Sequence, residues 1–137
     1  MARVAIGVEY DGGSFHGWQR QEHCSSVQAT LQAALASIAA SPVELHCAGR
    51  TDAGVHARAQ VAHFDTDAQR DARGWLLGTN AALPQAVSLR WVHFVDETFH
   101  ARHGALRRCY RYLVLNRGAR SALAAGRALC VHRPLDA

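Results

Sequence analysis

An α+β sandwich built on an antiparallel sheet is predicted by the order of hydrophobic periods along the chain. Strand-like alternation and helical spacing follow one another as strand, helix, strand, strand, helix, strand. That order is the ferredoxin-like split unit, βαββαβ. Val4, Ile6, Val8 and Tyr10 alternate with Arg3, Ala5, Gly7 and Glu9 to give the first strand, which Asp11-Gly12-Gly13 ends. Val27, Leu31, Ala34, Leu35 and Ile38 then recur at helical spacing. Ser25-x-x-Gln28 is expected to form a capping box, and Ser41-Pro42 stops the pattern. Val43, Leu45 and Cys47 alternate with Glu44 and His46 as a second strand, and a third runs from Gln60 to Asp65. The segment between them, Gly49 to Arg58, is too long for a tight turn, and long structured connections usually carry function.

A second helix is expected over Asp67 to Asn80, with Ala68, Ala72, Trp75, Leu76 and Thr79 on one side, although Gly74 and Gly78 weaken it. Leu83-Pro84 closes it, and Val87, Leu89, Trp91, His93 and Val95 alternate as the fourth strand. After a connection containing Glu97-Thr98-Phe99-His100-Ala101, a fifth strand is expected from about Leu106 to Asn116, with Tyr110, Tyr112 and Val114 on one face. It has no place in the six-element unit, and the chain then stops at Leu135-Asp136-Ala137 as though interrupted.

The 137 residues carry 15 Lys+Arg against 11 Asp+Glu, a formal charge of +4, and 49% of them are hydrophobic. This composition supports a folded core and argues against disorder. The longest uncharged run, Cys24 to Val43, contains Gln28, Gln32 and Pro42, which excludes a membrane span, and no secretory signal opens the chain. The cytoplasm is the expected compartment. Every basic residue is arginine. Genomic bias explains that most simply, yet arginine also binds phosphate bidentately and stacks on bases, so a nucleic acid is a plausible partner. The cysteines at 24, 47, 109 and 130 form no Cys-x-x-Cys pair and are expected as free thiols. The nine histidines are scattered apart from His100-x-x-His103 in the connection, so no metal site is expected.

Three segments draw attention to chemistry. In Ala48-Gly49-Arg50-Thr51-Asp52-Ala53-Gly54-Val55-His56-Ala57, Arg50 and Asp52 flank one residue inside a polar loop, although Asp52 could instead close an Asx-turn on its own backbone. Tyr10 to Gln21 places Phe15, His16 and Trp18 directly after a strand, either displayed for contact or covering the edge of the core. Arg107-Arg108-Cys109-Tyr110-Arg111-Tyr112 interleaves arginine with tyrosine. That pattern suits a nucleic-acid surface, or a basic edge strand guarded against aggregation.

Taken together, these segments, with Gly78-Thr79-Asn80-Ala81-Ala82-Leu83-Pro84 and Phe99-His100-Ala101-Arg102, resemble the TruA family of tRNA pseudouridine synthases from Val4 onward. The resemblance implies an isomerase that needs no cofactor and converts uridine to pseudouridine at positions 38 to 40 of the tRNA anticodon stem-loop. It implies Asp52 as the catalytic carboxylate, either attacking C1′ or taking the C2′ proton. Arg50 is implied as the side chain that fills the stack vacated by the extruded base, and Tyr110 as the ring stacked on the uracil. Arg50 is also the local candidate for the arginine beside Asp52, a place that a second arginine from the missing lobe also takes in the family, so the pairing stays open. Family members work as homodimers with a cleft between two lobes. Residues 1–97 are then the ferredoxin-like catalytic lobe, and 98–137 a linker and the first strand of an incomplete second lobe. A piece of this length is expected to be weakly active or inactive alone. The competing readings are a non-catalytic ferredoxin-like RNA-binding module, an inactive fragment of the enzyme and, further behind, a metal or redox protein.

Overall fold

The computed structural model describes residues 1–136. The elements run β1 (Ala2–Tyr10), α1 (Val27–Ala39), β2 (His46–Cys47), β3 (Ala57–Thr66), α2 (Ala72–Ala82), β4 (Val87–Val95), β5 (Val114–Asn116) and β6 (Leu129–Val131). They fall into two compact units, residues 1–106 and a second beginning at Arg107.

In the first unit the sheet order is β2-β3-β1-β4 and every neighbouring pair is antiparallel, which is the expected ferredoxin-like α+β arrangement. Val4, Ile6, Val8 and Tyr10 of β1 are buried with Val27, Leu31 and Leu35 of α1, Trp75 of α2 and Ala62 and Phe64 of β3. Phe64 and Trp75 meet edge to face at a centroid distance of 5.2 Å. Each such large side chain contributes ~1.5–3 kcal/mol on burial. The opposite face of β1 is closed too, because Trp91 lies over Gly7; a Cβ at Gly7 would fall 2.1 Å from the indole nitrogen.

The strand β4 departs from a single alternating face. Gly7 pairs with Trp91 and Val8 with Leu89, leaving Arg90 unpaired as a bulge. One extra residue reverses every side chain beyond it. Val87 and Leu89 therefore face the helices together with Val92, whereas Trp91 and His93 turn to the other side.

The helix α1 begins at Val27, the first residue of its expected pattern, but with a different cap. Ser26, extended at φ −133° and ψ 157°, caps α1 by accepting the Ala29 N–H at 3.1 Å, so the Ser25-x-x-Gln28 box does not form. Ser25 donates instead to the Ser14 carbonyl, and the Gln28 side chain is occupied by the Arg20 N–H and the Leu45 carbonyl. At the other end Ala40 takes a left-handed φ of 55° before Ser41-Pro42. The helix α2 starts at Ala72, not Asp67, because Asp71 supplies the cap by accepting the Gly74 N–H at 2.6 Å.

The second strand is shorter than its pattern. Val43 and Leu45 are buried, but the Leu45 N–H bonds the Gln32 side chain and its carbonyl takes the Gln28 amide, so α1 satisfies backbone that β3 would otherwise pair. Residues 98–106 belong to the first unit, and Arg3 reaches this segment by donating to the Glu97 and Phe99 carbonyls while its guanidinium pairs with Asp65 at 2.8 Å.

In the second unit β5 and β6 pair in parallel, and Asn116 donates to the Val131 and Arg133 carbonyls. The fifth strand expected from about Leu106 is confined to Val114–Asn116. Residues 107–113 have strand-like composition but lie outside any strand, and the β5–β6 ladder begins where the Leu113 carbonyl accepts the Leu129 N–H at 2.8 Å. A strand exists only through the neighbour that satisfies its backbone.

Candidate active site: a loop clamped against the end of the first strand

The loop between β2 and β3 is held along its length. At its start the Gln60 side-chain amide donates to the Gly49 carbonyl at 2.6 Å. Two residues later the Thr51 hydroxyl bonds the Tyr10 hydroxyl at 2.8 Å, and the Thr51 carbonyl accepts the Trp18 N–H at 3.0 Å. The chain then turns, with the Val55 N–H on the Asp52 carbonyl at 3.1 Å and Gly54 at φ +82°. The Gly54 N–H reaches the Phe15 carbonyl at 3.4 Å, and His56 Nδ1 accepts the Gly12 N–H at 3.0 Å.

Two glycines of the 10–18 segment permit this approach. A Cβ at Gly12 would lie 1.9 Å from the Val55 carbonyl oxygen, and one at Gly17, where φ is +90°, would lie 2.7 Å from that of Thr51. Only glycine fits at either place. The rings of this segment divide between the two roles open to them. Trp18 and Phe15 are core, Trp18 being tilted onto Tyr10 at 6.1 Å, while His16 is exposed.

Asp52 and Arg50 are both exposed. Among the described residues no hydrogen bond or ion pair joins them. Two solvated side chains gain little by pairing, whereas Thr51 between them is tied to Tyr10 and Trp18. Nor does Asp52 fold back into an Asx-turn: that part is taken by Asp11, whose carboxylate accepts the Gly13 N–H at 3.0 Å. The carboxylate of Asp52 thus stands in solvent on a loop whose backbone is hydrogen-bonded on both sides of it. Tyr110 lies in the second unit and is 75% exposed, available for stacking.

Sequence reasoning missed Gln60, His56 and the pairing of Tyr10 with Thr51. Their only signal was a hydroxyl at the inward end of an apolar alternation and an amide at a strand position of the same face. It also missed the gathering of His46, His63, His100 and His103, whose successive ring centroids are 4.2–5.9 Å apart. His63 Nδ1 accepts the Ala101 N–H, and His100 Nδ1 accepts those of Arg102 and His103. These rings cap a turn, with burial holding the His63 pKa down to about 4. Among the described residues no cluster has the arrangement of a metal site. An open depression of about 530 Å³, lined by Arg20, Gln28, Gln32, Pro42, Val43 and Glu44, shares no residue with the 49–56 loop.

A family model described as tRNA pseudouridine synthase matches residues 6–103, which take in the loop, its clamp and the histidine turn. The chain belongs to that family. It is similar to the tRNA pseudouridine synthase A of Xanthomonas campestris pv. campestris (strain B100), with 57% identity across 98% of this chain and 53% of the relative. It is 52% identical to the protein of that name from Pseudoalteromonas atlantica, over 98% of this chain and 51% of the relative. For that from Methylococcus capsulatus the identity is again 52%, over 98% and 49%. The chain therefore spans about half the length of these curated tRNA pseudouridine synthase relatives.

Proposed function

We propose that this protein supplies the catalytic lobe of a tRNA pseudouridine synthase acting on uridines at positions 38 to 40 of the anticodon stem-loop. The reaction breaks the bond from C1′ to N1, turns the uracil and joins C1′ to C5. N1 gains a proton, C5 loses one, and no electron is transferred, so the chemistry asks for no cofactor. Asp52 is the proposed catalytic carboxylate, attacking C1′ or taking the C2′ proton. Tyr110 stacks on the detached uracil. Arg50 fills the space left by the extruded base, offsetting part of an unstacking cost of a few kcal/mol.

The observation that carries this reading is the exposed Asp52 carboxylate on a loop fixed at Gly49, Thr51, Gly54 and His56, inside the segment matched by the family. A substrate as large as a stem-loop can reach such a carboxylate without the protein opening. The homodimer and the cytoplasmic compartment belong to the proposal; no described helix is long and apolar enough to cross a membrane. Tritium release from bulk tRNA labelled at uracil C5 tests it. Release by the complete gene product supports the proposal, and tRNA bound without release overturns it.

A further inference from the structure

We infer that Tyr10 and Gln60 are positioning residues that set where the Asp52 carboxylate stands before RNA arrives; this rests on the reading of Asp52 above. Both are buried, at 3% and 8% exposure, on neighbouring strands at the end of the sheet next to the loop. An apolar core has no need of a hydroxyl and an amide there, and each is costly unless bonded. Their bonds run outward to the loop. The Gln60 amide donates to the Gly49 carbonyl at 2.6 Å and to the Tyr10 hydroxyl at 3.4 Å, and the Tyr10 hydroxyl bonds that of Thr51 at 2.8 Å. The two fixed points, Gly49 and Thr51, bracket Arg50, and the second immediately precedes Asp52.

Phenylalanine at 10 fills the same core space, so removing the hydroxyl releases the loop without emptying the core. Misplacing a reacting group by about an ångström lowers turnover far more than it lowers binding, because binding draws on many other contacts. Tyr10 and Gln60 are thus expected to act on kcat through Asp52 while touching no substrate.

The test uses the complete gene product and tritium release from C5-labelled tRNA, with KM, tRNA binding and Tm measured alongside. Tyr10→Phe and Thr51→Val are each expected to lower kcat roughly 10- to 100-fold, leaving KM within about twofold and lowering Tm by only about 4 °C, as the loss of one hydrogen bond of ~1 kcal/mol requires. The double variant is expected to be no worse than either single one, since both remove the same bond, and Thr51→Ser, which keeps the hydroxyl, is expected to retain activity. Unchanged kcat in Tyr10→Phe and Thr51→Val beside an inactive Asp52→Asn overturns the inference and leaves the reading of Asp52 standing. So does a loss of kcat that only follows a fall in Tm. Full turnover by Asp52→Asn removes the reading itself, and the inference with it.

Discussion

Three glycines around the Asp52 loop separate backbone strain from steric contact. At Gly54, φ is +82° and nothing lies within 4 Å of the place a Cβ would take, so Gly54→Ala carries conformational strain alone, ~1–2 kcal/mol. At Gly17, φ is +90° and the new Cβ would also lie 2.7 Å from the Thr51 carbonyl oxygen. That oxygen must retreat by about 0.7 Å to reach ordinary contact, which stretches its 3.0 Å bond from the Trp18 N–H beyond useful length. Losing it adds ~1 kcal/mol, for a total of ~2–3 kcal/mol. Gly12 has no positive φ, but its Cβ would sit 1.9 Å from the Val55 carbonyl oxygen, so Gly12→Ala acts by displacement of the loop alone. Urea and thermal unfolding followed by tryptophan fluorescence measure all three. At about 4 °C per kcal/mol, Gly17→Ala is expected to lower Tm by ~8–12 °C and Gly54→Ala by ~4–8 °C. If Gly17→Ala proves no more damaging than Gly54→Ala, the 10–18 segment does not press on the loop as described.

Further outcomes are expected elsewhere in the first unit. Ser26→Ala should lose ~1 kcal/mol of stability and Ser25→Ala much less, because Ser26 bonds the Ala29 N–H and Ser25 only the Ser14 carbonyl; equal losses in denaturant titrations would contradict the cap assignment. Acid should weaken the fold in two stages. Burial first, then the Arg3 charge, hold His63 from 6.5 down to about 4, so the folded state resists a proton that the unfolded chain accepts. The stability owed to the neutral ring is complete above about pH 6.5 and is withdrawn as pH falls to about 4, by ~3 kcal/mol. His100, also lowered by burial, adds in the same direction. Asp65 gives the second stage: its bond to Arg3 holds its pKa below 3.8, so its contribution is also lost as pH falls, but only in stronger acid. The slope between pH 6.5 and 4 should shrink in His63→Asn, and an unchanged slope would assign it to other groups.

Periodicity made the architecture legible because burial on one face imposes it directly. Val4 to Tyr10, Val27 to Ile38 and the order of the six elements all answered to the same core. What the pattern could not show were choices settled by competing partners. Ser25 and Ser26 are equivalent in composition, and only the donors left free at the helix end, with Gln28 already engaged, select Ser26. The bulge at Arg90 is invisible because Val87, Leu89, Trp91, His93 and Val95 read as one alternation on paper. The strand expected from about Leu106 begins only at Val114, where β6 runs beside it, and propensity does not encode where a neighbour begins. In the site, Asp52 could be singled out by its motif, but Tyr10 and Thr51 are 41 residues apart, and Gln60 and Tyr10 are separated by 50. Hydrogen bonds across such intervals follow from the fold and leave no local spacing to read.

The central claim is that the Asp52 carboxylate performs chemistry on the nucleotide sugar. Asp52→Asn keeps the size of the side chain and removes only its charge and basicity, and among the described residues the exposed carboxylate makes no ion pair while the loop bond at this position comes from its backbone carbonyl. In the complete gene product, tritium release from C5-labelled tRNA should disappear while tRNA binding and Tm stay at their wild-type values. Substantial turnover by that variant would contradict the account.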